Sequence, residues 1–121
     1  MSVMSVDLDI NQGLSEKTKL PVYISHLPQQ GKLPLLVVDY SNVDDKRISG
    51  KVITRRWTVE VILFVENPLH IFVYGGMITD FFEPFANKKY ESPVEYDEIY
   101  YKSFRFEFIE KITEDGYELY L

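Results

Sequence analysis

The fifteen residues Lys51–Val65 constrain this chain more than any other stretch. A strand sends successive side chains to opposite faces, and here the odd positions Ile53, Trp57, Val59, Val61, Leu63 and Val65 are all apolar. One face of a long strand must therefore be buried, and it is expected to form the core. The even positions Thr54, Arg56, Thr58 and Glu60 suit solvent. Ile62 and Phe64 are apolar as well, so the far end of the strand is expected to be covered on both sides. Such a length is unusual for one strand, and a bulge or a projecting hairpin end near Arg55-Arg56 is expected.

Other strands follow from the same alternation. In Tyr100–Ile112 the even positions Tyr100, Phe104, Phe106, Phe108 and Ile112 face one side, while Ser103, Arg105, Glu107 and Lys111 face the other. Trp57, Val59, Val61 and Leu63 are therefore expected to share a core with Phe104, Phe106 and Phe108. Leu35–Tyr40 is almost continuously apolar and reads as a strand covered on both faces. Leu20–Ile24 is a short β-rich run whose Pro21 cannot donate to a ladder, which suits a strand start or a sheet edge. Leu27–Pro34, with two prolines inside it and Gly31, reads as a loop. Ser41–Gly50 has the composition of an exposed loop, and residues 86–98 read as a connecting loop. Glu114-Asp115-Gly116 reads as a turn, leaving Tyr117–Leu121 as a possible last edge strand.

Asn67-Pro68 is a good helix start, because Asn can accept from free N–H groups and Pro lacks a donor that the first turn does not need. Leu69, Phe72, Val73, Met77 and Phe81 then give an i, i+3, i+4 stripe that would pack on the sheet. Gly75-Gly76 and the run Ile71–Tyr74 favour a rival hairpin, Leu69–Tyr74 with Met77–Phe82. The helix is the preferred reading, since Asp80–Glu83 keeps no strand alternation. Residues 1–19 show no sustained period and are interrupted by Gly13, which suggests a flexible N-terminal arm whose Val3, Met4, Val6, Leu8 and Ile10 could order against a neighbouring subunit. The expected fold is α+β: an antiparallel sheet, mostly, of four to five strands with one main helix packed on a face. Residues 20–121 are expected to form a single domain.

The 121 residues suit one core, at 45% apolar and 15% aromatic. A net charge of -6 argues against a phosphate-binding surface, although Arg55-Arg56, Lys88-Lys89 and the aromatic strand were a conceivable single-strand nucleic-acid platform. Zero cysteines leave no disulfide and no thiolate site, which fits a reducing compartment. The first residues lack the basic and apolar regions of a secretion signal, and Val61–Val65 is far too short to span a bilayer, so a soluble, non-exported protein is expected.

Motifs for chemistry are missing. His26 and His70 have no ligand spacing, and the carboxylate pairs Asp44-Asp45, Asp97-Glu98 and Glu114-Asp115 fall in expected loops, where solvated charge needs no catalytic role. Gly75-Gly76 lacks the spacing of a phosphate loop and reads better as a close packing contact. No catalytic, cofactor-binding or metal-binding residue is assigned, and no cofactor is expected.

The order of elements carries one resemblance. Leu20-Pro21-Val22-Tyr23, a Pro-bearing loop, Leu33-Pro34-Leu35-Leu36-Val37-Val38, a charged loop, Arg56-Trp57-Thr58-Val59-Glu60-Val61, a helix ending Ile78-Thr79-Asp80-Phe81-Phe82 and the strand Phe104-Arg105-Phe106-Glu107-Phe108 together resemble the small tail-terminator and tail-completion proteins of tailed bacteriophages. The likeness spans residues 20–112 and lies in element order and apolar pattern. Those proteins usually open with a longer N-terminal helix, of which residues 1–19 hold at best a short one. The resemblance implies a non-enzymatic virion subunit, made in the host cytoplasm. It would form a homo-oligomeric ring, by family six copies, that caps the tail tube and meets tube and connector proteins, with no nucleic-acid specificity and no membrane. Two other readings stay open. One is a module binding a small ligand or peptide in an apolar pocket lined by Tyr23, Trp57 and Tyr74; the other is an enzyme, which would need a carboxylate of raised pKa in a cleft.

Overall fold

The computed structural model describes residues 6–29, 31–114 and 116–120. Val3 and Met4 of the expected arm, Gln30 of the first loop, Asp115 of the last turn and Leu121 lie outside the described residues. Two helices, α1 (Val6–Thr18) and α2 (His70–Phe82), accompany the strands β1 (Val22–Ile24), β2 (Leu35–Ile48), β3 (Lys51–Val65), β4 (Lys88–Glu91), β5 (Glu95–Asp97), β6 (Ile99–Thr113) and β7 (Gly116–Tyr120). The fold is α+β, with a mostly antiparallel sheet.

β3 is the centre of that sheet, as its alternation requires. The strand order is β1-β2-β3-β6-β4, and β5 and β7 also pair with β6. β6 pairs with β3 from Tyr100 to Lys111, while its outer edge is shared in turn by β5 opposite 99–101, β4 opposite 104–107 and β7 opposite 109–113. β1 alone runs parallel to its neighbour, β2. The sheet therefore holds more strands than the four to five expected. The 86–98 stretch is not a plain loop: it contributes β4 and β5, whose side chains are all exposed and so carry no apolar alternation. Their pairing rests on the backbone groups that β6 leaves open, continued by Asn87 N–H to Glu107 O and Ser92 N–H to Ser103 O.

The core lies on one face, as the phases of β3 and β6 require. Trp57, Val59, Val61, Leu63 and Val65 meet Phe104, Phe106 and Phe108, with Leu36 and Val38 of β2 beside them. Both helices cover this face. The single main helix expected is thus one of two of equal length, thirteen residues each. Residues 6–18 are not a flexible arm, because Val6, Ile10, Leu14 and Thr18 form a buried stripe of period four that belongs to the same core. Gly13 permits this docking: a Cβ there would press into the Phe81 ring of α2. On the opposite face Leu35 and Val37 are buried under the loop that follows β1, with Gly31 against Leu35, while Ile62 and Phe64 are half-buried.

In α2 the helix prevails over the hairpin. Asn67 Oδ1 accepts from Leu69 N–H at 3.0 Å, and the first helical N–H groups bond to Asn67 and Pro68 carbonyls. Gly75 and Gly76 are inside it, not at a turn. The face that packs differs from the expected stripe: Ile71, Gly75, Ile78 and Phe82 are buried, whereas Leu69, Phe72 and Val73 point outward. An almost wholly apolar helix offers more than one stripe, and the chosen one brings the missing side chain of Gly75 against Phe104, where a Cβ would lie 3.0 Å from Cζ.

Candidate assembly surfaces

Two exposed surfaces stand out, at the two ends of β3. The first is the outer half of the β2–β3 hairpin. Ser41–Gly50 is not the loop its composition suggests: β2 continues to Ile48, pairs with β3 as far as Ile48 opposite Lys51, and turns at Ser49-Gly50. The register shifts between Asp44 and Arg47, a bulge beside Arg55 much as the length of β3 leads one to expect. Charges that look like loop composition become partners within β2 and across to β3. Arg47 Nη2 meets Asp44 at 2.5 Å, Arg56 Nη2 meets Asp45 at 3.2 Å, and Thr54 donates to Asp45 at 3.0 Å. The arm exposes two aliphatic side chains, Val43 (62%) opposite Arg56 near its base and Ile48 (64%) opposite Lys51 at its tip.

The second surface is the N-terminal half of α2. Leu69 (67%) and Phe72 (77%) are among the most exposed apolar side chains, with Val73 next to them. Phe72 and Gly76 share a groove with Val94, which precedes β5. A helix apolar on nearly every side usually has neighbours on every side, and among the described residues this one packs on the sheet and α1. Composition showed that α2 is apolar, but the phase error hid that its leading stripe faces out.

Between arm and helices lies an open cleft of about 590 Å3, lined by Asp7, Asn42, Arg55, Trp57, Glu110 and Tyr117 among others. Glu110 is nearly buried, and Trp57 Nε1 donates to its Oε1 at 2.9 Å while Arg55 Nη1 stands 3.7 Å away. Tyr117 donates to Asp9 of α1, and Tyr40 donates to Asn11 and the Asp7 carbonyl. Burial, then the nearby acids, raises the pKa of both phenols. Tyr40 and Tyr117 thus tie α1 to the sheet, while Glu110 is held by β3 side chains.

The residues named for a ligand pocket are not gathered in one place. Trp57 faces the helices, Tyr23 pairs with Val37 of the opposite face, and Tyr74 packs in α2 beside His70, ring centroids 6.2 Å apart. His26 and His70 are both exposed and belong to separate elements. Asp44-Asp45 belongs to β2, not to a loop, Asp97 ends β5 and Glu114 follows β6. Lys88-Lys89 belongs to β4 on the far side of β6 from the arm that carries Arg55-Arg56. Among the described residues no helix is long and apolar enough to cross a membrane. No protein-family model matches the chain, and no curated protein matches it.

Proposed function

We propose that this chain is a non-enzymatic structural subunit of a phage or phage-like tail. In this reading it forms a homo-oligomeric ring that terminates the tail tube and joins it to the head, in contact with tube and connector proteins. It acts in the virion, after assembly in the host cytoplasm, without nucleic-acid specificity or membrane contact. One observation carries the reading: two different exposed surfaces, the arm tip and the outward stripe of α2, stand at opposite ends of β3, about 45 Å apart along the strand. A head-to-tail contact between unlike surfaces closes into a ring when its rotation allows, and a ring subunit needs such a pair. The tail-terminator proteins that the chain resembles usually open with a longer helix than α1, which spans thirteen residues.

The second reading, an α+β module binding a small ligand or peptide, is favoured by the open cleft beside Trp57. The mass of the native particle separates them. Several copies per particle are expected for the ring, and one copy per partner for the module.

A further inference from the structure

We propose that the arm tip of one copy docks on the α2–β5 end of the next, by charge and apolar complementarity. The proposal rests on the ring reading and names the surfaces that would build it.

The tip of the β2–β3 arm and the α2–β5 end of the sheet carry opposite charge, while Glu110 and Glu118 stand beside the base of the arm on β6 and β7. Residues 43–56 hold Lys46, Arg47, Lys51, Arg55 and Arg56 against Asp44 and Asp45, five basic and two acidic side chains. Both acids are already paired to arginines, whereas Lys46 and Lys51 are exposed and have no ion-pair partner among the described residues. At the other end Glu66, Glu95, Asp97 and Glu98 are exposed and equally lack an ion-pair partner among the described residues. No Lys or Arg occurs from 57 to 87 or from 90 to 101. The folding of the sheet brings these four acids together: Tyr96 of β5 pairs with Tyr100 of β6, and Tyr100 pairs with Val65, the neighbour of Glu66. The same end shows Leu69, Phe72, Val73, Val94 and Tyr96 to solvent, and the arm shows Val43 near its base and Ile48 at its tip.

The arm tip thus joins apolar to basic side chains, and the α2–β5 end joins an apolar stripe to an acidic edge; the groove between Phe72 and Val94 is also lined by Lys89 and by Lys102, which is paired with Glu91. Such an arrangement steers encounter and fixes register, while burial of the apolar centre supplies most of the affinity. A copy cannot satisfy itself, because a paired strand holds its two ends about 45 Å apart. A second copy offers the complement of each patch at once, and the contact so formed leaves one arm and one acidic end free for further copies.

The chain has no cysteine, which allows a direct test. Val43→Cys and Phe72→Cys are made as separate single variants of the full chain and mixed at low salt with an oxidant. Disulfide dimers between unlike variants are expected, at a rate about tenfold above that of either variant alone, and high salt should suppress them. Lys46→Glu with Lys51→Glu in the Val43→Cys chain should slow the reaction about tenfold, the effect of a few exposed ion pairs acting together. Glu95→Lys with Glu98→Lys in the Phe72→Cys chain should restore it. Equal rates in all mixtures, no cross-link at all, or charge reversals without effect would overturn the proposal. Rings seen on the tail tube with no unlike cross-link would leave the ring reading standing on other surfaces. Unlike cross-links that extend into open chains, with no ring on the tube, would keep the contact and remove the ring.

Discussion

Trp57 donates its indole N–H to Glu110 across the β3–β6 pair, at 2.9 Å, and so holds a nearly buried carboxylate where the core gives way to the arm. The indole also stacks on Phe108 and meets Tyr40 edge-on, at centroid distances of 6.4 and 6.2 Å. One side chain thus closes the core and anchors the base of the projecting hairpin.

Trp57→Phe keeps most of the apolar contact and removes the donor. Glu110 would then keep only the more distant Arg55, and a loss of about 1–3 kcal/mol is expected in urea unfolding followed by circular dichroism. Trp57→Phe with Glu110→Leu should recover part of that loss. A single substitution costing under about 0.5 kcal/mol would mean that the carboxylate is solvated in place.

The adjacent glycines of α2 should respond differently to the same change. Gly76 has open space where a Cβ would go, so Gly76→Ala should gain about 0.5–1 kcal/mol from helix propensity. At Gly75 the new methyl would press on Phe104 and cancel or reverse that gain. Thermal melts of the two variants giving the same shift would contradict the packing of α2.

Removal of residues 1–12 tests the role of α1. A dispensable arm would be lost without harm to folding, but Val6 and Ile10 are core residues here, and Tyr40 and Tyr117 bond to Asp7, Asn11 and Asp9. The truncated chain should lose several kcal/mol, on the order of two large-to-small core substitutions, in denaturant unfolding. Unchanged stability with impaired assembly would restore the arm.

Tyr40 and Tyr117 set an alkaline limit. Their folded pKa values lie above the ordinary value of 10.0, so the folded state holds these protons more tightly than the unfolded chain does. Stability from this source is complete below about pH 10 and falls as pH rises past it, because the unfolded phenols ionise first. Tyr40→Phe with Tyr117→Phe should flatten the decline between pH 9 and 12, on the order of the pH range that the phenol titration covers. An equally steep decline in both proteins, read from melting temperature against pH, would argue against these contacts.

The parts of the fold legible in the sequence are those where one covered face meets an alternating strand. β3 and the even face of β6 have that property, and their shared core of Trp57, Val59, Val61 and Leu63 with Phe104, Phe106 and Phe108 is present. α1 was not legible because its buried stripe has one residue per turn, interleaved with Asp7, Asp9 and Gly13. The outer half of β2 was not, because Asp44, Asp45 and Arg47 owe their strand conformation to partners on β3 that composition cannot supply. β4 and β5 carry no alternation, being exposed on both faces. For the two exposed surfaces the residues are visible in the sequence and their direction is not: Leu69, Phe72 and Val73 form a valid stripe, and the packing of Ile71, Gly75, Ile78 and Phe82 turns it outward.

The central claim, a ring built by head-to-tail contact, is tested most directly by electron microscopy of the chain bound to its tail-tube partner. Isolated ring subunits can stay monomeric until they meet the tube, so the complex is the decisive particle. The account predicts a closed ring of several copies at the tube end, six by resemblance, with each arm reaching its neighbour. A single copy seated in a pocket or groove of the partner would contradict it.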